Sequence, residues 1–298
     1  MKIVNFGSCN IDYVYKVDEI VVPGETKSSE SLEIFAGGKG LNQSIATAKA
    51  GSNVYHAGFI GKDGTFLKET LNNSGVNTEY LAFCEDKTGH AIIQVSSKAQ
   101  NSIILYAGAN HAFTEENVDE ILSHFSKGDF LILQNETNLV DYIINSAYEK
   151  GIKILFNPAP FSESLCKIDF NKIDYLVLNE VEIMDLSQKP EPTEALFYLF
   201  QKYPRTQIVL TLGSEGCAII ENGKVLKMPP FKVKAVDTTA AGDTFIGFFI
   251  SEIARGSSVR SAVNIGQAAS AIAVTKAGAS VSIPDFSEVS EFLKFPRP

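Results

Sequence analysis

Tryptophan is absent from the 298 residues, and only three methionines, four histidines and four cysteines are present. The cysteines, Cys9, Cys84, Cys166 and Cys217, lie far apart, with no CxxC pair and no histidine pairing nearby. A disulfide framework or a zinc site needs tighter spacing, so a reduced, cytoplasmic setting is the expectation. Positive charge is also short: 26 Lys and Arg against 35 Asp and Glu leave a net charge of −9. Such a surface repels a polyphosphate backbone, which argues against nucleic acid as a partner. A small anion gripped by backbone N–H groups stays within reach, because that needs no net positive charge. No stretch approaches the ~20 apolar residues that cross a bilayer, so no membrane contact is expected. The opening MKIVNFGSCNID has one lysine and an apolar run broken at Asn5, and reads as a first strand rather than a signal segment.

What is present is globular in composition, 45% apolar and 20% charged. Short apolar runs at 3–7, 54–60, 130–133, 152–156, 175–178 and 208–212 alternate with helical patterns near 40–50, 63–74, 115–126, 138–149, 179–187 and 193–203. Strands that are apolar throughout are buried on both faces, which predicts a mostly parallel α/β sheet flanked by helices. Two stretches break the rhythm, 11–35 and 89–106, the second with a hairpin turn at 97–101. They read either as a small antiparallel sheet projecting from the main body or as two edge hairpins. Further on, Phe245, Phe248, Phe249 and Ile253 recur at helical spacing and make one buried stripe, ending at Gly256. Asp243 lies roughly 160° around that helix from Phe245, so it is expected to face away from the core. A second helix is expected from Val259 to about Val274.

The segment VDTTAAGDTF, from Val236 to Phe245, carries the most chemistry. Ala240, Ala241 and Gly242 at a helix start leave backbone N–H groups unobstructed, and with the helix dipole they make an anion hole suited to a phosphoryl group in transfer. Asp243, at its rim, reads either as a base that accepts a hydroxyl proton or as a plain complement to the helix N-terminus. AGGKGLNQ, at 36–43, fails the Walker pattern, because Gly40 follows Lys39 and Glu33 stands where the first glycine belongs. Its glycines with Lys39, Asn42 and Gln43 suit a polyhydroxyl ligand, or else form a tight strand–helix turn. Gly7 is not followed by the GxGxxG glycines of a dinucleotide site, and Asn10 and Asp12 emerge instead at a strand end, where ligands gather in open α/β sheets. Asn179 with Glu182, and Thr211 to Gly216, each follow a strand and read either as ordinary caps and turns or as a metal–phosphate and a nucleotide contact.

Taken together, and in this order along nearly the whole chain, Gly37-Gly38-Lys39-Gly40-x-Asn42-Gln43 and Asp237-Thr238-Thr239-Ala240-Ala241-Gly242-Asp243-Thr244-Phe245 resemble the signatures of the ribokinase, or PfkB, family of sugar kinases. The resemblance implies one ribokinase-like domain over 1–298, with a β-sheet lid formed by about 11–35 and 89–106. It implies Asp243 as catalytic base and an anion hole of Ala240, Ala241, Gly242 and Asp243. It places Asn10, Asp12, Gly38, Lys39, Gly40, Asn42 and Glu136, with Asp243, around the sugar. Asn179, Thr211, Leu212, Gly213, Ser214, Glu215, Gly216, Gly242, Asp243 and Gln267 would surround ATP. Glu182 would act on Mg²⁺ through water. Asp237, Thr239, Ala273, Lys276, Gly278 and Ser282 would hold a monovalent cation, K⁺.

The same resemblance implies transfer of the γ-phosphoryl group of ATP to a primary hydroxyl of a pentose, ribose to ribose 5-phosphate first, and a homodimer formed through the lid. A related kinase of another sugar or a nucleoside, and a non-catalytic sugar-binding regulator, are the alternatives. Two departures stand out: Leu41 replaces the usual alanine of the sugar loop, and Ile246 replaces the asparagine that commonly follows DTF. A Leu41 pointing into the pocket would change sugar preference.

Overall fold

The computed structural model describes residues 1–98 and 100–294. The chain begins with the wholly buried β1 (Ile3–Phe6) and leaves the main sheet at once into β2 (Asn10–Val17) and β3 (Ser31–Gly37). It returns through α1 (Lys39–Lys49) and β4 (Val54–Ile60), then α2 (Thr65–Asn73) and the short β5 (Leu81–Phe83). A second excursion makes β6 (Gly89–Ser96) and β7 (Asn101–Tyr106). Strands and helices then alternate through α3 (Glu115–Ser123), β8 (Phe130–Gln134), α4 (Val140–Glu149), β9 (Lys153–Asn157) and β10 (Tyr175–Asn179). After α5 (Glu180–Ser187), α6 (Pro192–Lys202) and β11 (Gln207–Thr211) comes a hairpin, β12 (Cys217–Glu221) and β13 (Lys224–Met228). Helices α7 (Ala241–Ala254), α8 (Val259–Ala273) and α9 (Phe286–Phe292) close the fold.

Nine strands form one sheet in the order β13-β12-β11-β10-β9-β8-β1-β4-β5. From β11 to β5 all neighbours are parallel, and β12 and β13 add an antiparallel margin. Alternate residues feed two cores. Ile3, Ile132, Leu155, Val177 and Val209 pack with Ile45, Phe245, Phe248 and Phe249 on the α1, α7 and α8 side. Val4, Phe6, Leu133, Phe156 and Leu178 pack with Leu122, Ile143 and Leu196 on the α3, α4 and α6 side. This is the doubly covered, mostly parallel architecture that continuous apolar strands demand.

The two excursions join in a separate four-stranded sheet, β3-β2-β6-β7. It is not the wholly antiparallel sheet expected: its central pair, β2 and β6, runs parallel from Asn10↔Gly89 to Val17↔Ser96. Part of the turn expected at 97–101 lies outside the described residues; Ser96 N–H closes onto Gln100 O at 2.9 Å. Strand order reverses about β1, with β4 on one side and β8 on the other, so a crevice opens beyond their C-terminal ends. Ser8, after β1, and Glu136, after β8, meet across it in a hydrogen bond from Ser8 Oγ to Glu136 Oε2. Among the described residues no helix is long and apolar enough to cross a membrane.

Candidate active site

The crevice is built from the start of α1. Gly38 caps that helix at φ 95°, a left-handed conformation that glycine adopts without strain. Gly40 passes so close to the β1 end that an added Cβ would fall 2.3 Å from Ser8 N. Ser8 locks the approach: its Oγ accepts from Gly40 N–H at 3.2 Å and its carbonyl from Leu41 N–H at 2.9 Å. Lys39 N–H donates to Glu136 Oε2 at 3.0 Å. Helix α1 therefore presents Lys39, Asn42 and Gln43 toward α7.

There they meet Asp243. Asn42 Nδ2 donates to Asp243 Oδ2 at 3.2 Å and Gln43 Nε2 to Oδ1 at 2.9 Å. Asp243 is buried, 8% exposed, although its helical angle sets it away from the core stripe. It does turn off the Phe245 stripe, but α1 covers that side of α7. Burial opposes the charge on Lys39, yet Asp243, Glu136 and Glu182 outweigh it and hold its pKa above the ordinary value. Burial also raises the Glu136 pKa, against the pull of Lys39 and Ser8. Asp12, at the base of the small sheet, is pushed up to about 7 by burial and then by the charge of Glu136. Asn10 Oδ1 accepts from Asn110 Nδ2 at 2.7 Å. The site residues expected from β2, from α1 and from the β8 end are thus assembled around one crevice.

On the far side of Lys39 and Asp243 is a cavity of about 240 Å³, lined by Asn179, Glu182, Thr211, Thr238, Ala240, Ala241 and Gly242 as well. Ala240 is left-handed (φ 58°) and starts α7. Of the four N–H groups expected to form the anion hole, that of Ala241 is spent on Thr238 O at 3.2 Å. Space is open at Gly242, where an added Cβ would meet nothing within 4 Å. Asn179 and Glu182 form a reciprocal capping box on α5 and line the cavity as well, so the cap and the site are the same residues. Burial raises the Glu182 pKa, opposed by the Asn179 N–H and Lys39.

Beyond Thr211 the chain turns tightly through Leu212, Gly213, Ser214 and Glu215, closed by Leu212 N–H on Gly216 O at 2.8 Å. Gly216 is held against the Met228 carbonyl, onto which Gln267 Nε2 also donates at 3.3 Å. Gln267 does not line the cavity, but the structure brings it to the Gly216 loop. Asp237 ties together the two loops expected to flank a cation: it accepts from Thr239 N and Oγ1 at 2.9 and 2.6 Å and from Gly278 N at 2.9 Å. Those bonds outweigh its burial and lower its pKa. Ala273 O accepts from Lys276 N–H at 3.0 Å, and Ser282 Oγ donates to Ala279 O at 2.8 Å. The Lys276 ammonium turns away to Glu288, 2.8 Å distant.

Leu41 lies in the core, fully buried, and does not enter the pocket. Ile246 does line the cavity. Sequence reasoning gave no role to Ser8, Gln134 or Asn157, and set Gln43 beside the ligand rather than against Asp243. Gln134 and Asn157 carried a signal, a polar residue closing an apolar run (FLIL before Gln134, ILF before Asn157).

Residues 1–285 match the family model of the pfkB family carbohydrate kinases. The chain is 36% identical to a ribokinase of Haemophilus influenzae over 298 residues, 97% of each chain. It superposes on a ribokinase of Thermotoga maritima with a TM-score of 0.88 at 34% identity, covering 99% of both chains. A ribokinase of Arabidopsis thaliana, solved with ribose and ATP, matches with a TM-score of 0.86 at 28% identity over 99% of both. With residues 1–285 matched by the family model and ribokinases matched along nearly the full length in sequence and in fold, the chain belongs to the PfkB family and is a sugar kinase.

Proposed function

We propose that this sugar kinase transfers the γ-phosphoryl group of ATP to the primary hydroxyl of a pentose, ribose giving ribose 5-phosphate. The observation that carries the reading is Asp243: a buried carboxylate at the head of α7, both oxygens held by amides of α1, on the wall of a cavity that the start of α7 also lines. Ribose and ATP in the Arabidopsis ribokinase support the two ligands. Asp12 and Glu136 offer acceptors to sugar hydroxyls, and Asn42 Oδ1, buried without a partner, offers another. The hydroxyl placed against Asp243 gives up its proton to that carboxylate as its oxygen attacks the γ-phosphorus, and the bond from that phosphorus to the bridging oxygen breaks to release ADP. Developing negative charge on the phosphoryl oxygens is met by the Gly242 and Asp243 N–H groups and by Lys39. The β3-β2-β6-β7 sheet, carrying Asp12, closes over the sugar and excludes water, the competing acceptor.

Glu182 lines the cavity as a carboxylate fitted to water-mediated contact with Mg²⁺, which supplies charge neutralisation to the phosphates. Asp237, with hydroxyl and carbonyl oxygens from Thr239, Ala273, Lys276, Gly278 and Ser282, is an oxygen-only donor set suited to K⁺. A cation held there would tie Asp237 and its loop to the 273–282 segment, and so steady the loop that enters α7. The two edge strands of the small sheet, β3 and β7, expose Ile34 and Ile104, and pairing of two such sheets gives the homodimer we infer.

ADP release measured against pentoses, hexoses and nucleosides, in potassium and again in sodium, tests the reading. Turnover greatest with ribose and stimulated by potassium is the expected result. Turnover confined to another sugar or a nucleoside overturns the ribose assignment. ATP binding without turnover on any acceptor overturns the kinase mechanism in favour of a regulator.

A further inference from the structure

We propose that Gln43 is the positioning residue of Asp243, and that a chain of buried carboxamides running to the opposite end of the sugar loop fixes Gln43 in turn. The inference rests on the reading of Asp243 as the base. Gln43 is fully buried. Its Nε2 donates to Asp243 Oδ1 at 2.9 Å and to Asn157 Oδ1 at 3.3 Å, while its Oε1 accepts from Gln134 Nε2 at 2.8 Å. Gln134 Nε2 donates as well to Asn5 Oδ1 at 3.0 Å. Asn5 Nδ2 donates to Gly40 O at 2.8 Å and to Ser44 Oγ at 2.9 Å.

Both ends of this chain are groups that only accept: the Asp243 carboxylate and the Gly40 backbone carbonyl. The carbonyl forces Asn5 to present its nitrogen, which leaves its oxygen for Gln134. Gln134 then donates to Gln43 Oε1, which leaves the Gln43 nitrogen for Asp243. Every amide orientation is therefore determined, and a flip at any one sets oxygen against oxygen. The anchor extends further: Ser44 Oγ meets His56 Nδ1 at 2.8 Å and His56 Nε2 meets Cys9 Sγ at 3.2 Å, all buried. Burial lowers the His56 pKa to about 4, so the imidazole stays neutral there.

A carboxamide suits this task because it holds a carboxylate without giving it a proton. Gln43 orients Oδ1 and leaves it an acceptor for the sugar proton. The same network starts at Gly40, so the loop that grips the sugar and the base that activates it are set in one frame.

The test compares Gln43→Met, Gln43→Glu and Gln43→Met combined with Asp243→Asn, with kcat, both KM values and the pH dependence of kcat as readouts. Gln43→Met, which keeps the volume and loses the donor, is expected to lower kcat about 10–100-fold. KM for sugar and ATP stays within about threefold, and the acidic limb of the kcat profile moves upward. Gln43→Glu moves it further, because a second carboxylate competes for ionisation. Lys39, Glu136 and Glu182, the other charges acting with Asp243, are common to every variant, so the shift reads position 43. In the Asp243→Asn background, Gln43→Met costs less than about twofold more. A Gln43→Met enzyme with kcat within about threefold of the parent and an unmoved profile overturns the proposal, as does an equal loss in the Asp243→Asn background. Asp243→Asn retaining more than about a tenth of activity overturns the base reading instead. Should Gln43→Met fail to fold, Gln134→Met frees the Gln43 amide from one step away and must show the same kcat-only loss.

Discussion

Asp243 is satisfied on both oxygens before any substrate arrives, and that makes its replacement interpretable. In Asp243→Asn the new amide oxygen accepts from Gln43, and the new nitrogen turns toward Asn42. Asn42 Oδ1 has no partner, so a flip of that side chain accepts the added N–H. The variant is therefore expected to keep its stability within about 1 kcal/mol by urea denaturation. Its kcat falls at least ~100-fold while ATP affinity survives, since general-base catalysis contributes typically 10²–10⁴-fold. A loss below about tenfold removes Asp243 from the base role. The residue was legible because small residues at a helix start followed by an acid have a local chemical meaning. Its burial was not, because helical angle tells which way a side chain leaves its own helix and nothing of the α1 helix laid over it. Leu41 shows the same limit in reverse: next to two ligand-facing positions, it turns into the core.

At the scale of elements, strands that are apolar throughout announced the parallel sheet, and the 11–35 and 89–106 excursions announced the smaller one. Pairing between β2 and β6 was not legible, because a parallel pair needs a long connection and leaves no turn signature. The β12–β13 hairpin had one, Asn222-Gly223, both at positive φ as a tight two-residue turn requires. The register of the small sheet sets Ile34, Tyr13, Ile92 and Ile104 in one row across all four strands. Ile34 and Ile104 are 54% and 63% exposed, more than a lone sheet face of this kind tolerates without cover. Glutamate at both positions places like charges across a paired sheet while leaving each main-chain ladder intact. Light scattering is expected to give a dimer for the parent chain and a monomer for Ile34→Glu/Ile104→Glu. A parent monomer, or an unchanged dimer in the variant, removes this face as the interface.

Over the whole molecule, the groups that gather at the crevice leave a signature in stability against pH. Folding raises the Asp12 pKa to about 7, so from about pH 4 upward the folded chain keeps a proton that the unfolded chain releases. Stability from this group is present at low pH and lost as pH rises toward 7. His56 acts oppositely: its folded pKa of about 4 lies below the ordinary value, so its burial costs stability at low pH and the cost vanishes as pH rises through the histidine range. Glu136 and Glu182, raised as well, add to the Asp12 slope against the single opposing slope of His56, and the parent protein's melting temperature is expected to fall between pH 4.5 and 6.5. Asp63, Asp237 and Glu288 have lowered pKa values and lose their contributions only below this window. Asp12→Asn isolates the crevice. It mimics the protonated acid at every pH, and His56 is common to both proteins and drops out of the difference. The melting temperature of Asp12→Asn minus that of the parent, without ligand, must therefore widen in favour of the variant from pH 4 to 7. A constant difference would mean that Asp12 ionises as it does in an open chain, and that the crevice does not press Asp12 and Glu136 together.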